Sequence, residues 1–281
     1  MALPEDQFVL VDGIQTRYWC DGVGAPMLLL HGLSESVENW GLVFENLAEK
    51  YQVYALDWLG HGRTGHPQDN SYSLSRLASF VRHFMDAMKM DQTPIVGHSL
   101  GGAITLELVR QFPLCADKIV LIDSAGYGRE IGASLRLVTL PFVGEILLSV
   151  LLPNDRQKYV SSMLASFRNS SEVTEEVLLA KYAISQIPGY RDAILKTLRA
   201  NVNLNGQNVE TVQTLLKAQA QFPNSTLIIW GENDDTIPLA HGHLARKAMK
   251  NSRLEVIPNC GHEPSLEHPR QIIKLIKEFV Q

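Results

Sequence analysis

Val96-Gly97-His98-Ser99-Leu100-Gly101-Gly102 matches G-x-S-x-G between the apolar run Pro94–Val96 and a helical pattern that carries Ile104, Leu106 and Leu108. Between a strand and a helix the motif has physical meaning: the chain turns so sharply that the serine is left strained at the tip. Gly97 and Gly101 let neighbouring backbone pass without a Cβ clash. The helix that follows aims its first N–H groups, and the positive end of its dipole, at whatever Ser99 attacks. The amide of Leu100 is then a natural donor to an oxyanion. The plainer alternative is a glycine-rich turn whose serine caps a helix, so the surroundings must decide.

Outward from this motif, apolar runs alternate with helical patterns. Upstream, Phe8–Val11 and Thr16–Cys20 flank the turn Asp12-Gly13 and read as an antiparallel hairpin. Met27–Leu30 and Tyr51–Leu56 are continuous apolar runs, as expected of strands buried on both faces. Trp40, Val43, Phe44 and Leu47 recur at helical spacing, as do Leu77, Phe80, Val81, Phe84 and Met88. Downstream, Lys118–Ile122 is another strand. This alternation predicts an α/β fold, a mostly parallel sheet with helices on both faces. From about Gly126 to Pro223 the pattern is helical with no convincing strand. Helices are expected from Asn169-Ser-Ser-Glu172 onward, over Tyr190–Ala200 and over Val209–Gln221. Strands resume at Thr226–Trp230 and Leu254–Ile257, before a helix from Pro269 to Val280. The expected organisation is a core domain of residues 1–126 and 223–281, with a helical cap over 127–222.

Of the 281 residues, 45% are hydrophobic and 20% charged, values suited to a large buried core. A net charge of −5 gives no electrostatic reason to expect nucleic acid as a partner. Cys20, Cys115 and Cys260 have neither disulfide-framework nor zinc-site spacing. Met1-Ala-Leu-Pro-Glu-Asp-Gln lacks both a basic and an apolar leader region. A cytoplasmic location and no metal or other cofactor are expected. The greasiest stretch, Leu135 to Leu152, is interrupted by Arg136, Pro141, Gly144 and Glu145, so no integral membrane span is expected, though the stretch could touch a lipid surface. Oligomeric state is not legible.

With these residues in place, the chain resembles the α/β-hydrolase fold family, in its serine-hydrolase branch with a helical cap, over essentially its whole length. His31-Gly32-Leu33 looks like the family's oxyanion dipeptide, which implies a second donor at the amide of Leu33. Asp57-Trp-Leu-Gly60-His-Gly62-Arg-Thr64 is similar to the glycine-bearing loop after the fourth strand, departing only in its final threonine. The resemblance places the base at His262, in Asn259-Cys260-Gly261-His262-Glu263-Pro264, between the last strand and the last helix. Trp230-Gly231-Glu232-Asn233-Asp234-Asp235-Thr236-Ile237-Pro238 resembles the family's acid loop and puts the third residue at Asp234. Asp123, ending Lys118–Ile122, is a rival because some relatives take their acid from that strand; Asp235 is a second. The pair His241 and His243 lacks a nearby third ligand and does not read as a metal site.

The implied chemistry is a Ser99 nucleophile, a His262 base and an Asp234 that orients it, forming an acyl-enzyme from a small-molecule hydrophobic ester. Substrate contacts are expected from His98, which shapes the pocket, and from Leu140, Phe142, Val143 and Ile146 in the cap. Relatives of this architecture also include carbon–carbon bond hydrolases. The short His31-Gly32-Leu33-Ser34-Glu35 loop, and the lack of a tryptophan soon after His262, point away from that branch. A ligand receptor built on a hydrolase scaffold is the non-catalytic alternative, and an intact triad argues against it.

Overall fold

The computed structural model describes residues 3–281. Eight strands form one sheet: β1 (Gln7–Val11), β2 (Ile14–Asp21), β3 (Pro26–Leu30), β4 (Gln52–Leu56), β5 (Ile95–His98), β6 (Lys118–Ile122), β9 (Ser225–Gly231) and β10 (Ser252–Ile257), in the order β1-β2-β4-β3-β5-β6-β9-β10. The β1–β2 and β2–β4 pairs are antiparallel and all later pairs are parallel. Side chains alternate across a strand, so each apolar run feeds two cores. In β3, Leu28 and Leu30 join one core with Phe80, Phe84 and Ile104, while Met27 and Leu29 join the other with Phe44, Leu47, Ile272 and Ile276.

Helices cover both faces. On the first lie α2 (Leu74–Ala87), α3 (Leu100–Gln111) and α10 (Ala240–Ala248); on the second, α1 (Phe44–Ala48) and α12 (Pro269–Val280), the latter preceded by the short α11 (Pro264–Glu267). The residues around Trp40 form a 3-10 turn, Val37–Trp40, ahead of α1 rather than one continuous helix. Between β6 and β9 stand α4 (Ala133–Val138), α5 (Val143–Leu151), α6 (Arg156–Ser166), α7 (Glu175–Ser185), α8 (Tyr190–Asn201) and α9 (Val209–Gln219). This insertion has an apolar cluster of its own, including Val138, Leu148, Tyr159, Ile184, Ile194 and Leu198.

Two local expectations are corrected. A small antiparallel ribbon, β7 (Val202–Asn203) with β8 (Gly206–Gln207), interrupts the all-helical reading of the insertion. The helix expected from Asn169-Ser-Ser-Glu172 begins instead after Thr174, whose side chain caps the amide of Val177. The amides of Arg168 and Asn169 are taken by the Glu267 carboxylate, and Asn169 Oδ1 accepts from Ser171, so this stretch is committed to a turn. No described helix is long and apolar enough to cross a membrane, and all three cysteines are free.

Candidate active site

Strand β5 ends at His98, and the chain turns at Ser99 with φ 52° and ψ −118° before α3 starts at Leu100. A non-glycine residue there is strained and must be held by its neighbours. The Ser99 amide donates to the Ile122 carbonyl, and the Ser99 carbonyl accepts from Gly102, Ala103 and Ala125. A Cβ on Gly97 would lie 2.6 Å from the Gly101 carbonyl oxygen, and one on Gly101 only 2.2 Å from that of Leu30. The G-x-S-x-G spacing is therefore a steric requirement of this turn.

The loop after β10 carries His262 to the same rim of the sheet. His262 Nε2 lies 3.0 Å from Ser99 Oγ, and His262 Nδ1 lies 2.7 Å from Asp234 Oδ2. Asp234, in the loop after β9, accepts the Thr236 and Ile237 amides on Oδ1 at 2.8 and 2.9 Å. A buried carboxylate on Nδ1 keeps the proton there and leaves Nε2 free to accept from the serine. Burial opposes charge on the ring, but the Asp234 charge and hydrogen bond outweigh it and raise the His262 pKa.

Neither rival acid is hydrogen-bonded to His262, whose ring nitrogens meet Asp234 and Ser99. Asp235 is exposed and paired with Arg168. Asp123 is fully buried, with Oδ1 accepting the Gly231 amide at 2.8 Å and Oδ2 without a partner. Burial, then the charge of Asp234, push the Asp123 pKa well up. Its carboxylate comes within 4.8 Å of nitrogens of His98 and His262, a grouping compatible in type with a metal ion. Both ring nitrogens of each histidine are already engaged, so the donors do not fit that role.

The loop His31-Gly32-Leu33 passes directly over the serine: a Cβ on Gly32 would lie 3.0 Å from Ser99 Cβ. It is fixed by Trp58 Nε1 donating to the His31 carbonyl at 3.1 Å and by His31 stacking on Trp58. Among the described residues, no loop or turn hydrogen bond engages the amide of Leu33 or Leu100.

A cavity opens beside Ser99, lined by Leu33 and Leu100, by Ile131 and Leu135 near α4, by Leu198 and Val202, by Val212 and Leu215 of α9, and by Ile237. Its polar lining is neutral: Thr197, Asn201, Gln207, Asn208, Thr211 and Thr236. None of the lining residues is ionisable.

The expected substrate contacts lie outside the lining of this cavity. Leu140, Phe142, Val143 and Ile146 do not line the cavity; Phe142 and Ile146 are 84% and 65% exposed, because α5 turns Gly144 and Leu148 inward and this face out. His98 is not on the cavity wall either, since its ring is buried between Asn39 and the backbone of His262. Much of the remaining lining comes from α8, the ribbon and α9, which no motif in the sequence marks. A Ser-His-Asp hydrogen-bonded line at the end of a largely parallel sheet is the arrangement of a serine hydrolase.

The α/β-hydrolase fold model matches residues 25–269, and the chain belongs to that family. It is 28% identical over 284 residues to an uncharacterized protein of Mycobacterium tuberculosis, covering 100% of this chain and 82% of that one. It is 27% identical over 277 residues to the 2-hydroxymuconate semialdehyde hydrolase of Pseudomonas sp. strain CF600, covering 97% and 92%. Among solved structures, a serine hydrolase involved in carbazole degradation superposes with a TM-score of 0.80 at 25% identity, covering 98% of each chain.

Proposed function

We propose that the protein hydrolyses carboxylic esters whose acyl or aryl group is apolar and uncharged, through an acyl-enzyme on Ser99. His262 Nε2 takes the hydroxyl proton as Ser99 Oγ bonds to the acyl carbon. The tetrahedral oxyanion is held by the amides of Leu33 and Leu100, each such donor being worth about 3–4 kcal/mol to the transition state. As the intermediate collapses, the C–O bond breaks and the imidazolium returns the proton to the departing alcohol. Water, deprotonated by His262, then releases the acid, and residues 127–222 act as the cap over this step.

The observation that carries the ester reading is that, among the described residues, no ionisable side chain lines the cavity beside Ser99. Burying an unpaired carboxylate there would be costly. The nearby buried ammonium of Lys181 is already paired with Glu35. A second reading, hydrolysis of a carbon–carbon bond in a ring-fission product, is favoured by the Pseudomonas relative. The muconate named for that relative is a carboxylate, for which this lining offers no cation. The two readings are separated by assaying p-nitrophenyl esters of graded chain length beside a ring-fission enol-carboxylate, each with Ser99→Ala as control. Turnover of the esters alone is expected; turnover of the carboxylate alone would replace the ester reading with the second.

A further inference from the structure

Four residues form an unbroken hydrogen-bonded line from helix α7 of the insertion to the loop of His262. Lys181 is buried on α7, and its Nζ donates to Glu35 and, at 3.1 Å, to Asn39 Oδ1. Asn39 lies in the turn Val37–Trp40, with Nδ2 3.3 Å from His98 Nδ1. His98 Nε2 is 2.7 Å from the carbonyl oxygen of His262.

Each link admits one polarity. An ammonium only donates, so Asn39 must turn its carbonyl oxygen toward Lys181 and its NH2 toward His98. His98 Nδ1 must then accept, which puts the ring proton on Nε2, where it donates to the His262 carbonyl. Burial pushes the His98 pKa down to about 3, which agrees with a neutral ring. Lys181 has a second branch, because Glu35 stands two residues beyond Leu33, across the left-handed Ser34. Glu263, next to His262, faces the same ammonium. A buried charged pair is an expensive way to fill space that an apolar side chain could occupy.

We propose that Lys181 is a positioning residue, which sets the His98 tautomer and the seat of the His262 loop through Asn39, and holds the Leu33 loop through Glu35. The insertion, once seated, and the assembled triad are then one state. The inference rests on the reading of Ser99 and His262 given above.

Lys181→Met, Asn39→Leu and the double variant test it, using kcat and KM for a p-nitrophenyl ester and the rate of Ser99 phosphonylation by a fluorophosphonate. Each single variant is expected to lower kcat and the phosphonylation rate about ten- to a hundredfold with little change in KM, since small misplacements of this kind act on the transition state. The double variant is expected to lose less than the product of the two. Wild-type kcat in either single variant, or losses that multiply, would overturn the inference. If Lys181→Met does not fold, the imidazole 15N spectrum of the unaltered protein decides: an Nε2–H tautomer at His98 is expected, and an Nδ1–H tautomer would overturn it. A wild-type protein inert to both reagents would instead defeat the hydrolase reading, and the tautomer would still judge this one.

Discussion

Asp234 sets one carboxylate oxygen against His262 Nδ1 at 2.7 Å and gives the other to its own loop, so the carboxylate that orients the ring cannot rotate without breaking the loop's hydrogen bonds. Asp234→Asn removes the charge that stabilises the imidazolium and offers an NH2 in place of an acceptor. We expect kcat to fall by on the order of 10³–10⁴. The pH profile moves with it. His262 must be neutral to act, so kcat/KM rises with pH through a base whose pKa the Asp234 charge holds above the ordinary 6.5. In Asp234→Asn burial has lost its main opponent, so the ascending limb shifts to lower pH while the plateau collapses. A limb that stays in place, or a plateau that survives, would contradict this role.

Asp123 gives the matching control. Burial and the charge of Asp234 push its pKa well up, and asparagine has the same shape as the protonated acid. Asp123→Asn is expected to leave kcat within roughly threefold of wild type, since the carboxylate on His262 Nδ1 is that of Asp234 and asparagine still accepts the Gly231 amide. A loss as large as that of Asp234→Asn, in steady-state assays at pH 7, would move the acid to β6.

Gly32→Ala probes the oxyanion loop. The added methyl would meet Ser99 Cβ at 3.0 Å and His98 Nδ1 at 3.2 Å, so the loop must shift and take the Leu33 amide with it. The expected result is a drop in kcat of about ten- to a hundredfold with KM nearly unchanged, as for a donor used only in the transition state. Thermal unfolding close to that of wild type would show that the loss is not one of folding.

Cavity and surface make opposite predictions. Leu135→Trp narrows the cavity, so kcat/KM for long-chain esters should fall at least about tenfold while acetyl esters are little affected. Phe142→Ser with Ile146→Ser alters only exposed positions, one just before α5 and one on it, and should leave kcat/KM for a short soluble ester unchanged. Equal effects of the two changes on chain-length preference would place the acyl group elsewhere.

That contrast shows where sequence reading stops. Strands buried on both faces have to be continuous apolar runs, and Lys118–Ile122 and Met27–Leu30 are legible for that reason. The elbow is legible because Gly97 and Gly101 answer to steric contacts that no other residue tolerates. In α5, by contrast, nearly every position is apolar, so composition does not say which face meets the core. Asn169 has the chemistry of a helix cap, yet the distant Glu267 claims its neighbourhood. The place of His98 beside Ser99 reads as part of the pocket, but its partner, the His262 backbone, is 164 residues away. Lys181 left a faint trace, a cation on the same face of α7 as buried Val177 and Leu178.

The central claim is that Ser99 is a nucleophile made reactive by His262, and intact-protein mass spectrometry after treatment with a fluorophosphonate tests it most directly. One adduct per chain is predicted, mapped by peptide analysis to Ser99, absent in Ser99→Ala and slowed at least about a thousandfold in His262→Gln. No adduct, an adduct on another residue, or undiminished labelling of His262→Gln would contradict it.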